Sequence, residues 1–218
     1  NLTVEIYNQT ATIPSAAPAV TTTVTFPATS LSAGSYAIKA KVELVGDQAT
    51  GNDEITGSLA VESPLCGNYD VGSGGVFASL TNAGGAFDKL NSLGASCSVI
   101  FSVISDLTGE TGSFAVNQWA EYGIGGYTLT ILPNGAARSI KGDSTTATVR
   151  ALIRLNGADR VTIDGDPGLS GTRSLTITNN DTSTGGTVIW VASGAAGAQN
   201  NTIRNVVVAG SGSAATFI

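Results

Sequence analysis

Three stretches decide how this chain folds: Arg160-Val161-Thr162-Ile163-Asp164-Gly165, Ser174-Leu175-Thr176-Ile177-Thr178-Asn179, and Asn201-Thr202-Ile203-Arg204-Asn205-Val206-Val207-Val208-Ala209-Gly210. Each is a short β-branched run closed by Gly or Asn, residues that turn a chain readily. Loops rich in Gly, Ser, Thr and Asn follow. Recurrence at this spacing predicts a coil that passes through the same directions repeatedly and stacks on itself. A parallel β-helix is the architecture that fits. Such a coil can serve as an enzyme, a binding surface or a plain stalk.

Working outward, strands are expected at 66–71, 97–104, 127–132, 136–141, 151–155, 161–164, 175–178, 188–191 and 206–209. No crossover helix separates the later ones, which excludes a doubly wound sheet. One helix is expected, at 81–93. Thr81 is placed to cap it, Leu80, Ala83, Phe87 and Leu90 share one face, and Gly94 occupies the C-cap position. Gly84 and Gly85 weaken it by roughly 1 kcal/mol each relative to Ala, so packing must hold it.

Residues 1–63 read differently. Alternating patterns at 2–7, 20–26, 36–45 and 54–61 have one apolar and one polar face, as in an immunoglobulin-like β-sandwich. Only about four of its strands are present, so the remainder is expected upstream of Asn1. Pro64 interrupts the pattern and marks a boundary. The fold class expected is therefore all-β: a partial immunoglobulin-like sandwich over 1–63, then a right-handed parallel β-helix with an N-terminal capping α-helix over 64–218. Strands already in progress at both ends suggest a fragment of a longer chain.

Composition narrows the function. Of 218 residues, 12% are charged, 42% are hydrophobic and 28 are Gly, which suits a secreted all-β protein with a real core. The net charge is −6 and the ten Lys and Arg are scattered, so phosphate neutralisation and nucleic-acid binding are disfavoured. No apolar run reaches the length of a membrane span. With no His, the commonest general base and metal ligand are both missing. The two cysteines, Cys66 and Cys97, are too few for a zinc site. One disulfide suits a secreted chain, and two buried free thiols are the alternative.

Two resemblances follow. The turn Leu31-Ser32-Ala33-Gly34-Ser35-Tyr36 and the loop from Gly46-Asp47 to Asn52-Asp53 resemble bacterial immunoglobulin-like adhesion modules. The run Tyr69-Asp70-Val71-Gly72-Ser73-Gly74-Gly75-Val76-Phe77-Ala78-Ser79-Leu80 is similar to large secreted surface proteins of Bacteroidota, as are Leu155-Asn156-Gly157-Ala158-Asp159-Arg160-Val161-Thr162-Ile163-Asp164-Gly165 and Asn201-Thr202-Ile203-Arg204-Asn205. That resemblance covers 66–218. It implies type IX secretion, display at the cell surface, and a role in adhesion or gliding rather than catalysis. It also implies that the helix caps the first rung, where bare strand edges would otherwise invite aggregation. A Cys66–Cys97 disulfide would pin that cap, contributing roughly 3–4 kcal/mol in the chain-entropy view. The partners implied are further domains of the same chain, surface glycans, or a secretion or outer-membrane complex.

Candidate chemistry is sparse. The rival reading, a polysaccharide lyase or glycoside hydrolase, needs clustered carboxylates or bases. Asp159, Asp164, Asp166 and Asp181, with Arg154, Arg160 and Arg173, are the available charges. Asp164 and Asp166, two residues apart, are the best pair for a calcium ion or a sugar, but Asp and Gly there also suit a tight turn. Asp159 and Arg160 are expected to face solvent. Glu110 and Glu121 are not read as a catalytic pair, and no catalytic residue or cofactor is assigned. Trp119 and Tyr122, in the loop 118–126, are candidate glycan contacts, with packing over the first rungs as the alternative; Tyr127 and Trp190 are further aromatics. Asn residues at successive rungs are expected to stack their amides. Asp143-Ser144-Thr145 matches a Bacteroidota O-glycosylation pattern, which makes Ser144 a candidate modification site. A third reading is a subunit of an extracellular filament.

Overall fold

The computed structural model describes residues 4–15, 20–144, 150–168, 170–183, 185–194 and 197–211. Chain contacts divide it into two units, Asn1–Ser63 and Pro64–Ile218. In the first, strands β1 (Gly34–Lys41) and β2 (Glu54–Val61) pair as an antiparallel hairpin, with Tyr36 opposite Leu59 and Ala40 opposite Ile55. A short 3-10 turn, Thr50–Asn52, precedes β2. Residues 4–7 and 20–26 are not strands, contrary to the alternation in their sequence. Among the described residues of this unit none is fully buried, and Ile38, Val42, Leu44 and Ile55 are exposed. A period-2 pattern needs a ladder partner to become a strand; among the described residues of this unit only β1 and β2 supply one to each other, and their apolar face stays uncovered.

The second unit is a β-solenoid of about four turns. Its chain order is β3 (Leu65–Val71), α1 (Ala86–Leu93), β4 (Ala95–Val103), β5 (Leu107–Glu110), β6 (Val116–Asn117), β7 (Leu129–Pro133), β8 (Arg138–Gly142), β9 (Ala151–Asn156), β10 (Val161–Asp164), β11 (Leu175–Asn179), β12 (Thr187–Ala192), β13 (Thr202–Arg204) and β14 (Val206–Ala209). Three parallel sheets result. One has the order β13-β10-β7-β4-β3, the second β14-β11-β8-β5, and the third β12-β9-β6. The strands at 161–164 and 206–209 fall where the sequence places them. The short strands β5 and β6 go unseen there, because two to four residues carry too little periodicity, and the run read as one stretch over 201–210 is two strands, β13 and β14, parted at Asn205.

Alternation explains the core. In β10 the pattern puts Val161 and Ile163 inside and Thr162 outside. Register then aligns like with like: Phe101 pairs with Ile131 and Ile131 with Ile163 in one buried column, which ends at Ile203, paired with Ile163 but exposed. Val99, Leu129 and Val161 form the next column. A second sheet adds Leu107, Ile140, Ile177 and Val208. Burying each such side chain stabilises by about 1.5–3 kcal/mol, and a parallel stack repeats that gain at every turn.

Corners are built from backbone proximity. Gly142 stands beside Glu110, so close that a Cβ would meet the Glu110 carbonyl oxygen at 1.7 Å. Gly165, which closes the Val-Thr-Ile-Asp-Gly motif, bears the same relation to the Asn205 carbonyl, at 1.9 Å. Arg160 and Asn200 both take positive φ, near 59° and 58°, at the residue two before Thr162 and Thr202, which are paired in register. The same left-handed corner thus recurs one turn later.

The helix is shorter than expected. It begins at Ala86, and its N-cap is Gly85 without a side-chain cap. Thr81 is buried and bonded to Glu110, so its hydroxyl is unavailable as a helix cap. Gly84, with φ near 71°, holds a turn just ahead. Ala86, Phe87 and Leu90 are buried in the solenoid core, and the Gly94 N–H closes the helix on the Leu90 carbonyl.

Candidate functional site

A single disulfide joins Cys66 and Cys97, whose Cα atoms are 4.7 Å apart. It crosses from β3 to β4 beside a register irregularity between Leu65 and Gly67. Elsewhere in the solenoid, residues 79–81 are clasped by one acid. Glu110 is buried; its Oε2 accepts from Ser79 Oγ at 2.9 Å, Thr81 N at 2.6 Å and Thr81 Oγ1 at 2.5 Å, and its Oε1 accepts from Leu80 N at 3.1 Å. The sequence offers no cue to this role, since a lone Glu in Thr108-Gly109-Glu110-Thr111 looks like any solvated turn residue. An open recess of about 330 Å³ lies against this clasp, lined by Ser73, Ser79, Asn82, Ser105, Asp106 and Glu110. The Glu110 oxygens at its wall already accept from four protein donors, and Asp106 Oδ1, also at the wall, accepts from Ser139 N.

Asp164 and Asp166 do not converge on a metal position. Asp164 Oδ1 accepts from Asp166 N and Asn205 Nδ2, and Oδ2 accepts from Arg204 Nε at 3.0 Å and Nη2 at 2.8 Å. Asp166 accepts from Ser170 N and Oγ and from Gly171 N within its own loop. Burial pushes both carboxyls up, but those donors outweigh it and hold both below the usual carboxylate range. Both acids organise a corner, as the turn reading has it. Among the described residues, no three of Cys, Asp and Glu come together as a metal site.

Asp159 and Arg160 are partnered rather than free in solvent. Asp159 Oδ1 accepts from Gln199 N, and Arg160 donates to Glu121 at 2.7 Å and to the Tyr127 carbonyl. Burial raises the Glu121 carboxyl, but the Gly126 and Tyr127 N–H groups and Arg160 bring it below its ordinary value. Asp181 is the most strongly held acid. Its carboxylate accepts from Arg150 Nε at 2.9 Å and Nη2 at 3.1 Å, and from the Ser183 N–H and hydroxyl.

Ser144 is buried, its backbone N–H donates to Asn179 Oδ1, and its hydroxyl donates to Asp181 and accepts from Asn179 Nδ2. That hydroxyl is enclosed in the folded protein. Thr145 lies outside the described residues. Of the two readings of Trp119, packing is the one its burial fits: it is 4% exposed and belongs to the hydrophobic core. Tyr122 is exposed and its carbonyl accepts from Tyr127 Oη. Trp190 is exposed on β12, next to Arg154 of β9 in register. Asparagines of successive rungs do bond in one place: Asn156 Nδ2 donates to Asn117 Oδ1 at 2.9 Å, the two being paired in register.

Stacked parallel rungs, inward aliphatic columns and polar corners held by side-chain networks define the class: this is a β-solenoid protein with one cross-strand disulfide. Comparisons with protein families, with curated proteins and with solved structures return no match for the chain.

Proposed function

We propose that this chain is a structural and adhesive segment of a long secreted cell-surface protein, in which the solenoid forms a stiff stalk. The observation that carries the proposal is how the acids are used. Asp164, Asp166, Asp181, Glu110 and Glu121 each accept several protein hydrogen bonds at corners and loops, and so act as fasteners. A hydrolytic or lyase site needs carboxylates directed at a substrate.

The disulfide supports an oxidising compartment, since reducing cytosol disfavours such bonds. No helix among the described residues is long and apolar enough to cross a membrane, so attachment would come through other domains or a surface complex. In this reading α1, which connects the edge strand β3 to its neighbour β4 along the chain, caps the solenoid against strand addition. The resemblance to type IX secretion substrates of Bacteroidota supplies the setting, adhesion or gliding with surface glycans as ligands.

Fractionation of the producing organism with an antibody to the solenoid tests the reading. Recovery at the cell surface with Cys66 and Cys97 oxidised is the expected result. Recovery in the cytosol with both thiols reduced would overturn it.

A further inference from the structure

We infer that the Cys66–Cys97 disulfide is a force-bearing clamp, which routes tension on the chain past the first strand and the helix into the interior of the solenoid. β3 is the edge strand of its five-stranded sheet, with β4 as its ladder partner. Tension arriving along the chain from before Pro64 reaches β3 at Leu65, its first residue. An edge strand loaded at its end peels one hydrogen bond at a time, the weakest way to load a sheet. The disulfide sits one residue further on, at Cys66. Load therefore crosses the sulfur bridge almost at once and enters β4 at Cys97.

β4 differs from β3 in the support around it. It is paired on both sides, with β3 and with β7, along Val99–Val103 opposite Leu129–Pro133. Its inward side chains Val99, Phe101 and Val103 are fully enclosed. Pulling on it must disturb two ladders and a packed core together. The intervening segment, which holds α1 and the donors Ser79, Leu80 and Thr81 that Glu110 clasps from outside it, is left outside the line of force. Phe87 and Leu90 thus stay in place under load although their helix is only eight residues long.

The inference rests on the stalk reading for its biological purpose, but its test does not. The whole 218-residue chain is stretched between its two termini in a single-molecule force experiment, with and without dithiothreitol in the chamber. The β1–β2 hairpin opens in both conditions and cancels in the comparison. Reduced protein is expected to show one additional extension, earlier and at lower force than unfolding of the remaining solenoid. Its length should be about 10 nm, from a sequence separation of 31 and roughly 3.3–3.6 Å per residue. Oxidised protein should lack that step. The Cys66→Ser/Cys97→Ser variant, untreated, should behave as the reduced protein does. Release of the extra length only together with the rest of the solenoid, at unchanged force, would overturn the clamp. A surface protein that failed to adhere to anything would leave this result standing, and a cytosolic location would refute the stalk without touching it.

Discussion

Arg150 Nε lies 2.9 Å from Asp181 Oδ2, and this ion pair buries the Asp181 side chain completely while leaving about a third of the Arg150 side chain exposed. Burial alone would raise the Asp181 carboxyl. Hydrogen bonds from Arg150 and Ser183 and the Arg150 charge outweigh it and bring the group down to about 2.

That pair sets an acid limit on stability. A carboxyl whose folded pKa is depressed contributes stability that is complete well above its unfolded value and is lost as pH falls through the folded one. For Asp181 the window runs downward from the ordinary carboxylate range, near 3.8, to about 2. Asp164 and Glu121 are shifted the same way and add to the loss. Urea midpoints measured between pH 6 and pH 2 should fall with acidification, and Asp181→Asn should flatten that fall. Asp181→Ala at neutral pH should cost about 3 kcal/mol, because Arg150 loses its partner. An unchanged acid slope in Asp181→Asn would refute the role given to the pair.

Glu110→Ala should loosen one loop rather than the whole solenoid. Two backbone N–H groups and two hydroxyls lose their acceptor at once, for a cost of about 3 kcal/mol. Amide exchange should accelerate at Leu80 and Thr81 while Ile163 and Ile177 remain protected. Uniform acceleration throughout would mean the clasp is part of the global core instead.

Two glycines three residues apart should respond oppositely to Ala. At Gly165 the added methyl would meet the Asn205 carbonyl of the next turn, whereas at Gly168 it meets nothing within 4 Å. Thermal unfolding followed by circular dichroism should show Gly165→Ala destabilised by about 2–3 kcal/mol and Gly168→Ala within about 0.5 kcal/mol of the parent. Equal effects would contradict the rung spacing.

The two tryptophans report separately on core and surface. Trp190→Phe leaves Trp119, whose emission should be blue-shifted and resistant to acrylamide. Trp119→Phe leaves Trp190, 45% exposed, whose emission should be red-shifted and readily quenched. Ready quenching of Trp119 would place it on the surface and reopen its role as a glycan contact.

The solenoid strands were legible because burial of alternate residues is written into them. Val161, Ile163, Leu175 and Ile177 carry the period of two, and Asp164-Gly165 and Asn179 carry the turns. The same logic failed at 4–7 and 20–26, where alternation exists but no neighbouring strand covers it. The helix starts later than the Thr81 signal predicts, because that hydroxyl donates to Glu110, 29 residues away, and accepts from the Gly112 N–H instead of a helix N–H.

By itself, then, the sequence determined an all-β chain, coiled through its last two-thirds, with two cysteines available to each other and no histidine chemistry. Tertiary structure alone decided which polar residues are enclosed. Ser144 looks accessible in a linear reading and is buried, Trp119 packs into the core instead of facing solvent, and Asp164, Asp166 and Asp181, legible as turn residues, have fastening partners that the sequence does not name. The reason is physical. Alternation is a local property, readable over four or five residues, whereas Arg204 on Asp164, Arg150 on Asp181 and Asn179 on Ser144 come from 40, 31 and 35 residues away, distances that no local pattern encodes.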